Sequence, residues 1–373
     1  MNLPLLGSVD GDMRVWFGAK SRRVNHLPPR RCNAKSNPSR AEAGVLSSRP
    51  VFNRRSPWLV RNNPAAFIAA AAVSLFFAIA PPSRAATAGA LQYEALQLVR
   101  SPQNHLLVHA EINGKPALLC LDTGAPVSAI ALNRRAYFGM APVTGKSEIP
   151  ARLSINGAFN SVAIAHNLRL GALNLVDEPM VMVDLGGLRR SGKRDEIDGI
   201  LGADILFPTR ALLDCQRQIL VLKINPSVPG TVPGFDFSGF RRIPMHVSDG
   251  FNLYVDGSVN GQKARLMVDT GAFATLLHSR FVRRMQIPMR ETPFSSSGVN
   301  LKQRGVQVAT ISRFWIGSMD LERNDVGVIN LEGLIHGGLL DASPPVAGLL
   351  GSEILRRHHG IIDFGTKNLY LKK

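Results

Sequence analysis

The amino-acid sequence predicts an all-β protein built from two similar halves. Short apolar segments, several of which alternate with polar residues, are separated by Gly and Asn turns, and this pattern is typical of β-strands. Helix signals are restricted to two brief stretches, residues 203–207 and 352–357. Two matched segments recur at spacings of 147 and 149 residues, which indicates an internal duplication with small insertions.

The first repeated segment is Asp-Thr-Gly-Ala, at residues 122–125 and again at residues 269–272. Each copy ends an apolar run, and each run follows a short strand pattern and an Asn-Gly pair, at residues 113–114 and 260–261. Asn-Gly between alternating apolar residues is the strongest short-range signal of a β-hairpin. A single Asp-Thr-Gly is most often only a loop. Two copies in matching contexts predict that each Asp stands at the tip of a buried strand.

The second repeated segment is a Gly-x-x-Gly stretch with apolar neighbours, at residues 198–206 and 347–355. Each copy leads into an apolar strand that contains an acid, Asp214 in the first half and Asp363 in the second. Asp is a common turn residue because its side chain accepts hydrogen bonds from nearby backbone N–H groups. We therefore interpret Asp214 and Asp363 as structural groups.

On these paired motifs, the chain resembles the retropepsin-like aspartic proteases over about residues 91–373. In that family a strand delivers Asp-Thr-Gly-Ala to the active site, and a later apolar segment packs beside it. Retroviral members supply one half per chain and dimerise, whereas pepsin-like members carry both halves in one chain. The resemblance implies two retropepsin/pepsin-like β-barrel halves related by pseudo-two-fold symmetry, in a monomeric pseudo-dimer.

The resemblance also implies an aspartic-type endopeptidase with Asp122 and Asp269 as its catalytic dyad. Two carboxylates about 3 Å apart cannot both ionise, so the pair shares a proton around one water. This chemistry needs neither a metal nor a cofactor. The alternative function is a non-catalytic peptide-binding or assembly module on the same fold, which would need neither acid. The residues expected to support the active site are Thr123, Gly124, Ala125, Thr270, Gly271 and Ala272.

The sequence departs from both branches of that family. The residue after Asp-Thr-Gly is Ala in both copies, where pepsins usually have Ser or Thr. The Asp that often follows in retroviral members is Pro126 in the first half and Phe273 in the second. The Gly-Arg-Asn of the retroviral helix is replaced at residues 202–204 and 351–353. The Asp-Arg pair that braces a retroviral dimer is therefore missing.

The net charge of +17 is unevenly distributed along the chain. Residues 1–88 hold 13 Lys or Arg against 3 Asp or Glu, so this segment carries +10 and the remainder carries +7. No stretch combines basic and aromatic residues as nucleic-acid grooves do. We therefore expect a peptide or protein substrate and no nucleic-acid partner.

Two segments precede the repeated region. Residues 1–63 are rich in Arg, Ser, Asn and Pro without apolar periodicity, and we interpret them as a disordered basic leader or presequence. Residues 65–80 form an apolar run interrupted only by Ser74, which is shorter than most membrane-spanning helices. With basic residues before it and small residues after it, the segment 64–88 is typical of a signal peptide. The alternative is an uncleaved anchor, through which residues 65–80 would make the protein's membrane contact.

The leader has two explanations, and both place the mature protein across a membrane. A bacterial export signal would lead to the periplasm or the medium. A two-part organellar presequence, with an Arg- and Ser-rich first part, would lead to the thylakoid lumen of a plastid. We favour bacterial export.

The repeated region divides into a first half at residues 91–224 and a second half at residues 240–373. Between them, residues 225–239 contain closely spaced Pro and Gly, which cannot hold a helix or a central strand. This stretch is interpreted as a linker. Neither half could build a two-carboxylate site by itself.

Three further features receive structural interpretations. Cys120 and Cys215 align with the apolar residues Met267 and Phe364 of the second half, so we expect packed thiols, with a disulfide as the alternative. The pair at residues 358–359, His-His, has no ligand cluster near it in the sequence and is expected at the surface.

Two kinds of loop are also expected, a basic run and the flaps over the site. The basic run at residues 189–194 is expected to be a solvated loop, or to lie near the cleft and favour acidic substrates. Flaps over the site are expected near residues 144–161 and 292–307, and the walls of the cleft would set substrate specificity.

Overall fold

The structure is a computed structural model. It describes residues 8–9, 92–143, 161–185, 197–225, 232, 234–248, 250–293, 295–298, 301–336, 339–340 and 343–373. The apolar run at residues 65–80, the first expected flap except for Ser161, and the basic run at residues 189–194 lie outside this part of the chain. Within it, no helix has both the length and the apolar character needed to cross a membrane.

The first half consists mainly of strands with one short helix. Strand β1 (Ser8–Val9) lies near the N-terminus, before the first half. The elements of the first half are β2 (Tyr93–Gln97), β3 (Val99–Arg100), β4 (Leu106–Ile112), β5 (Lys115–Leu121), β6 (Ala129–Ala131), β7 (Val162–Leu170), β8 (Leu173–Val183), β9 (Gly199–Leu201), α1 (Ala203–Leu206), β10 (Leu212–Asp214) and β11 (Ile219–Lys223).

The second half repeats this order and adds two helices. Its elements are β12 (Arg241–Pro244), β13 (His246–Val247), β14 (Leu253–Val259), β15 (Gln262–Val268), β16 (Leu276–His278), α2 (Ser279–Arg284), β17 (Met289–Glu291), β18 (Ser295–Gly298), β19 (Leu301–Arg304), β20 (Gln307–Ile311), β21 (Phe314–Ile316), β22 (Met319–Asp320), β23 (Asn324–Ile329), α3 (Glu332–His336), β24 (Gly348–Leu350), α4 (Ser352–Arg357), β25 (Ile361–Asp363) and β26 (Asn368–Leu371).

The predicted all-β, two-half architecture is confirmed. The two expected helical stretches form α1 and α4, but the sequence reading missed α2 and α3. Neither helix begins within a repeated Gly-x-x-Gly segment, whereas α1 and α4 both do. Strand β1, within the segment interpreted as a leader, pairs with β18.

Both predicted Asn-Gly hairpins are present. Strands β4 and β5 are joined by Asn113 and Gly114 at φ 50° and 77°, and β14 and β15 by Asn260 and Gly261 at φ 48° and 88°. Left-handed φ at both loop residues is what a tight turn between twisted antiparallel strands requires. The turns fix the register of β5 and β15, and hence where each of these strands ends.

Each half has its own sheet, and the halves share a third one. The first-half sheet has seven strands in the order β3-β4-β5-β9-β6-β8-β7. The larger second-half sheet contains the corresponding arrangement β16-β24-β15-β14. The shared sheet has the order β12-β26-β25-β10-β11-β2, and β10 and β25 pair antiparallel at its centre, Leu213 opposite Ile362. Because β10 and β25 are corresponding strands of the two halves, the pseudo-two-fold axis passes between them.

The interpreted linker contributes packing as well as connection. Phe237 stacks on Tyr370 of β26 with ring centroids 4.1 Å apart, and Phe235 and Phe240 pack against the same small cluster on the shared sheet. Aromatic rings bury large apolar areas and so stabilise such a sheet surface.

Candidate active site

Strands β5 and β15 deliver the two Asp-Thr-Gly segments to one place. Beside them lie β9 and β24, each paired in parallel with its delivering strand. The backbone N–H of Asp122 donates to the carbonyl of Leu201 over 3.1 Å, and that of Asp269 donates to Leu350 over 3.0 Å. Each acid is therefore held at a strand end by its neighbouring Gly-x-x-Gly strand.

The two threonines join the loops through reciprocal hydrogen bonds. The Thr123 hydroxyl donates to the carbonyl of Val268 over 2.8 Å and accepts the N–H of Thr270 over 3.1 Å. The Thr270 hydroxyl donates to the carbonyl of Leu121 over 2.8 Å and accepts the N–H of Thr123 over 3.1 Å. All four bonds are buried, so the facing loops are fixed to each other as one unit.

The glycines bring each loop close to the opposite carboxyl group. A β-carbon at Gly271 would lie 2.5 Å from Cγ of Asp122, and one at Gly124 would lie 2.8 Å from Cγ of Asp269. Contacts this short do not occur between real atoms, so glycine is required at both positions for steric reasons. The arrangement also shows that the two carboxyl groups face each other across the pseudo-two-fold.

Both carboxyl groups are buried, Asp122 at 1% and Asp269 at 8% exposure. The N–H of Gly124 donates to Oδ1 of Asp122 over 2.8 Å, and the N–H of Ala272 donates to Oδ1 of Asp269 over 3.0 Å. Oδ2 of Asp122 accepts no hydrogen bond from the described residues. That oxygen is therefore the natural position for a proton.

Burial raises both pKa values, because a charged carboxylate loses its hydration inside the protein. The pKa of Asp122 is raised well above its ordinary value by burial and then by the charge of Asp269. The pKa of Asp269 is raised to about 6 by burial, against the opposing effect of the Ala272 N–H. The pair therefore holds a proton to higher pH than two free carboxyl groups would.

The family model described as aspartyl protease matches residues 108–205 and 255–354, which together make up more than half of the chain. The chain belongs to the aspartyl protease family. Each matched range contains one Asp-Thr-Gly and one Gly-x-x-Gly segment, so the match follows the internal duplication.

Two solved structures are similar to this chain. The crystal structure of aspartic proteinase from Irpex lacteus is 14% identical in sequence, with a TM-score of 0.42, over 75% of this chain and 97% of the other. The crystal structure of basic 7S globulin from soybean is 10% identical, with a TM-score of 0.40, over 75% of this chain and 95% of the other. No relative was found among curated proteins.

In this chain, Ala125 and Ala272 connect the two Asp-Thr-Gly loops to the helices behind them. Both are buried, and their carbonyls accept the N–H groups of Ala203 and Ser352 over 2.9 Å each. The structure thus brings together all eight residues singled out from the sequence. Asp122, Asp269 and the two glycines meet face to face, the threonines join the loops, and the alanines anchor them from behind.

Sequence reasoning missed a pair of side chains behind each loop, in which a hydroxyl group is hydrogen-bonded to a carboxyl group; we call each such pair a brace. The Ser128 hydroxyl donates to Oδ1 of Asp204 over 2.7 Å, its N–H donates to Oδ2 over 2.8 Å, and its oxygen accepts the N–H of Gly202 over 3.0 Å. In the second half Thr275 accepts the N–H of Gly351 over 3.0 Å. Burial raises the pKa of the Glu353 carboxyl, and hydrogen bonds from Thr275 oppose this shift.

In the sequence, these braces lie beside the positions of the missing retroviral Asp-Arg pair, which are residues 126 and 203 in the first half and 273 and 352 in the second. A signal for them was present in the sequence. A hydroxyl residue occurs six positions after each catalytic-motif Asp, and an acid occurs two positions after the last Gly of each second motif.

The remaining structural interpretations mostly hold. Asp214 accepts the N–H groups of Gln216 and Arg217, and Asp363 accepts the N–H and hydroxyl of Thr366, so both act in turns. Cys120 and Cys215 are free and buried, which confirms packed thiols and removes the disulfide alternative.

The expected surface position of residues 358–359 was wrong. Both histidines are half-buried, because the chain after α4 packs back against the C-terminal strand, and Nδ1 of His358 lies 3.3 Å from the carbonyl of Lys372. The second segment in which a flap is expected, residues 292–307, contains the antiparallel hairpin of β18 and β19.

Proposed function

We propose that this chain is an aspartic endopeptidase that hydrolyses peptide bonds with a water activated by Asp122 and Asp269. The observation that supports this most strongly is the pair of facing Asp-Thr-Gly loops. Reciprocal threonine hydrogen bonds join these loops, and the glycine of each loop packs against the carboxyl group of the other. A peptide-binding role alone would not need two buried acids whose burial is energetically unfavourable.

In the proposed reaction, ionised Asp269 takes a proton from the water as the water oxygen bonds to the peptide carbonyl carbon. Asp122 gives its proton to the carbonyl oxygen, which would otherwise carry the developing charge. In the second step Asp269 passes its proton to the leaving nitrogen while Asp122 takes a proton back from one hydroxyl. The C–N bond breaks, and the dyad returns to its singly protonated form.

The experiment is digestion of a mixed peptide library by the full chain across pH 3–8, read by mass spectrometry. We expect cleavage that a transition-state-mimicking aspartic protease inhibitor abolishes. The chain with both Asp122→Asn and Asp269→Asn is the inactive control. Cleavage that survives in this control, or no cleavage at any pH, would reject the proposal.

We also propose that the active form is a monomer, because one chain supplies both acids. Specific activity should stay constant on dilution to nanomolar enzyme, whereas an intermolecular site would lose activity as the partners separate.

We further propose that the protein acts outside the compartment where it is made, in the bacterial periplasm or medium. The apolar run at residues 65–80, with basic residues before it and small residues after it, motivates this proposal. N-terminal sequencing of the protein recovered from each cell fraction tests it. A full-length chain in the soluble cytoplasmic fraction would count against export.

A further inference from the structure

A second concave site lies in the second half, away from the catalytic dyad. It is a groove of about 1120 Å³ bordered by β14, β15, α2 and the segment that precedes β24. Its nearest residue along β15, Arg265, is four positions from Asp269, or roughly 13 Å along a strand. None of the eight active-site residues lines it.

The polar lining of the groove is strongly basic. Lys263, Arg265, Arg280 and Arg284 border it, together with the acid Asp256. Asp256 is already engaged, because it lies 3.2 Å from Arg265 and 2.9 Å from His246. In the part of the chain that the structure describes, Lys263, Arg280 and Arg284 form no ion pair. The groove therefore presents three uncompensated positive charges.

The first half shows that the fold does not require these charges. From the hairpin register, Lys263 and Arg265 occupy the places of Pro116 and Leu118 in the first half. At the repeat spacing of 147 residues, Arg280 and Arg284 correspond to Asn133 and Tyr137. Because the same framework forms without them, the four cations are a property of this half's surface.

The apolar part of the lining differs between the halves in the same way. Trp315 is 39% exposed in the groove, beside Phe281 and the prolines 344 and 345. Its counterpart in the first half, from the strand pairing, is Arg169, which forms an ion pair with Glu111. An exposed Trp that borders the same groove as several arginines gives this surface the composition typical of protein-binding hot spots.

We propose that this groove binds an extended acidic peptide segment that carries apolar side chains between its carboxylates. The cations would pair with the carboxylates, and Trp315 and Phe281 would contact the apolar side chains. A nucleic acid fits less well, since stacking sites present successive exposed aromatics and the groove has one. A lipid surface also fits less well, because the apolar residues lie within a concavity and do not project from it. The binding does not depend on the proposed catalysis.

The test is fluorescence anisotropy with a labelled twelve-residue peptide in which Glu alternates with Leu, Phe and Pro. The protein is the full chain carrying Asp122→Asn and Asp269→Asn, so that the probe is not cleaved. The groove variant adds Lys263→Gln, Arg280→Gln and Arg284→Gln. The matched control instead adds Arg241→Gln, Arg242→Gln and Arg323→Gln, three exposed cations of the same half that do not border the groove.

We expect the groove variant to bind the probe about tenfold more weakly, since three exposed ion pairs each contribute a small factor. The control variant should change the affinity by less than twofold, and the basic leader is common to both. A separate Trp315→Ala variant keeps every charge and should also weaken binding about tenfold.

Three outcomes would overturn the proposal. Equal weakening in the groove and control variants would show general charge attraction. Unchanged affinity in Trp315→Ala would show that the groove is not the contact. Loss of binding to anionic phosphatidylglycerol vesicles in the groove variant, without loss of peptide binding, would make the groove a lipid site. The side chains substituted in addition to the dyad are all exposed, and an unchanged melting temperature would check that each variant is folded.

Discussion

Around the dyad, the two halves agree in their hydrogen-bond lengths. The Thr123 and Thr270 hydroxyls each donate over 2.8 Å and each accept over 3.1 Å. The same backbone bonds hold Asp122 and Asp269, at 3.1 and 3.0 Å. Each half supplies the other's partner groups here, so a change in one would leave a buried group of the other unpaired.

Away from the dyad, the halves differ. Asp198 accepts the N–H of Leu118 over 2.9 Å and pairs with Arg134 at 2.5 Å, whereas its counterpart in the second half is Ala347. The backbone is the same at both places, because residue 198 donates to the carbonyl of Leu118 and residue 347 to that of Arg265. At this position the fold therefore fixes the backbone but not the side chain, whereas around the dyad both are the same in the two halves.

The strongest test of this symmetry is single replacement of either acid. Asp122→Asn and Asp269→Asn should each lower kcat by about a thousandfold or more, because one carboxyl cannot be both base and acid. The double variant should be little worse than either single variant, since residues that act as a unit are not additive. The measurement is kcat on the best library peptide. Substantial activity in one single variant would break the symmetry.

The reciprocal threonines test the same symmetry through stability. Thr123→Val and Thr270→Val keep the side-chain shape but each leaves a buried carbonyl and a buried N–H without a partner. Each should lower the free energy of unfolding by about 3 kcal/mol. Urea unfolding of both variants measures this, and costs that differ by more than about 1 kcal/mol would show that the loops are not equivalent.

The dyad should also lower the stability of the fold at pH values at which it is ionised. The pKa of Asp269 is raised to about 6 from 3.8, so the folded state resists losing this proton. The stability of the native chain should therefore fall as pH rises from about 4 to 6 and stay lower above that range. Asp269→Asn should recover up to about 3 kcal/mol at pH 7 and little at pH 4. A variant that is less stable than the native chain at pH 7 would contradict this sign.

The braces behind the loops should respond differently in the two halves. Both oxygens of Asp204 accept hydrogen bonds, from the N–H and hydroxyl of Ser128 and the N–H of Ile205. In Asp204→Asn, an amide NH₂ group takes the place of an oxygen that accepts hydrogen bonds. This should lower the free energy of unfolding by about 1–2 kcal/mol.

In Glu353, burial raises the pKa, and the buried Oε2 accepts no hydrogen bond from the described residues. Glu353→Gln should therefore change stability by less than about 0.5 kcal/mol at pH 4, because the native carboxyl is largely protonated there. Relative to the native chain, the variant should become more stable as pH rises above the ordinary Glu pKa. Thermal melting from pH 4 to 8 compares the two braces, and equal losses in Asp204→Asn and Glu353→Gln would mean that they are equivalent.

Local patterns predicted the parts of the fold that short stretches determine. The Asn-Gly turns, the delivery strands and the helices α1 and α4 were visible because each is set by a few adjacent residues. The pairing of β10 with β25 was not visible, because it joins residues about 149 positions apart.

The alanines after the two Asp-Thr-Gly segments provide the smallest test. Ala272 donates its backbone N–H to Asp269 over 3.0 Å, but its side chain, like that of Ala125, offers no hydrogen bond to either carboxylate. A Ser hydroxyl at these positions could donate to the ionised carboxylate, which favours the charged form and lowers the pKa. Burial of the dyad sets its first ionisation near pH 6, so native activity should peak at weakly acidic to neutral pH. With both Ala125→Ser and Ala272→Ser, the acidic limb of the pH–kcat/KM profile should move down by about one pH unit at most, since each group already has a backbone donor. Single variants should move it by smaller and similar amounts, because the two loops are equivalent. An acidic limb that stays in place or moves upward would show that these positions do not control the proton of the dyad.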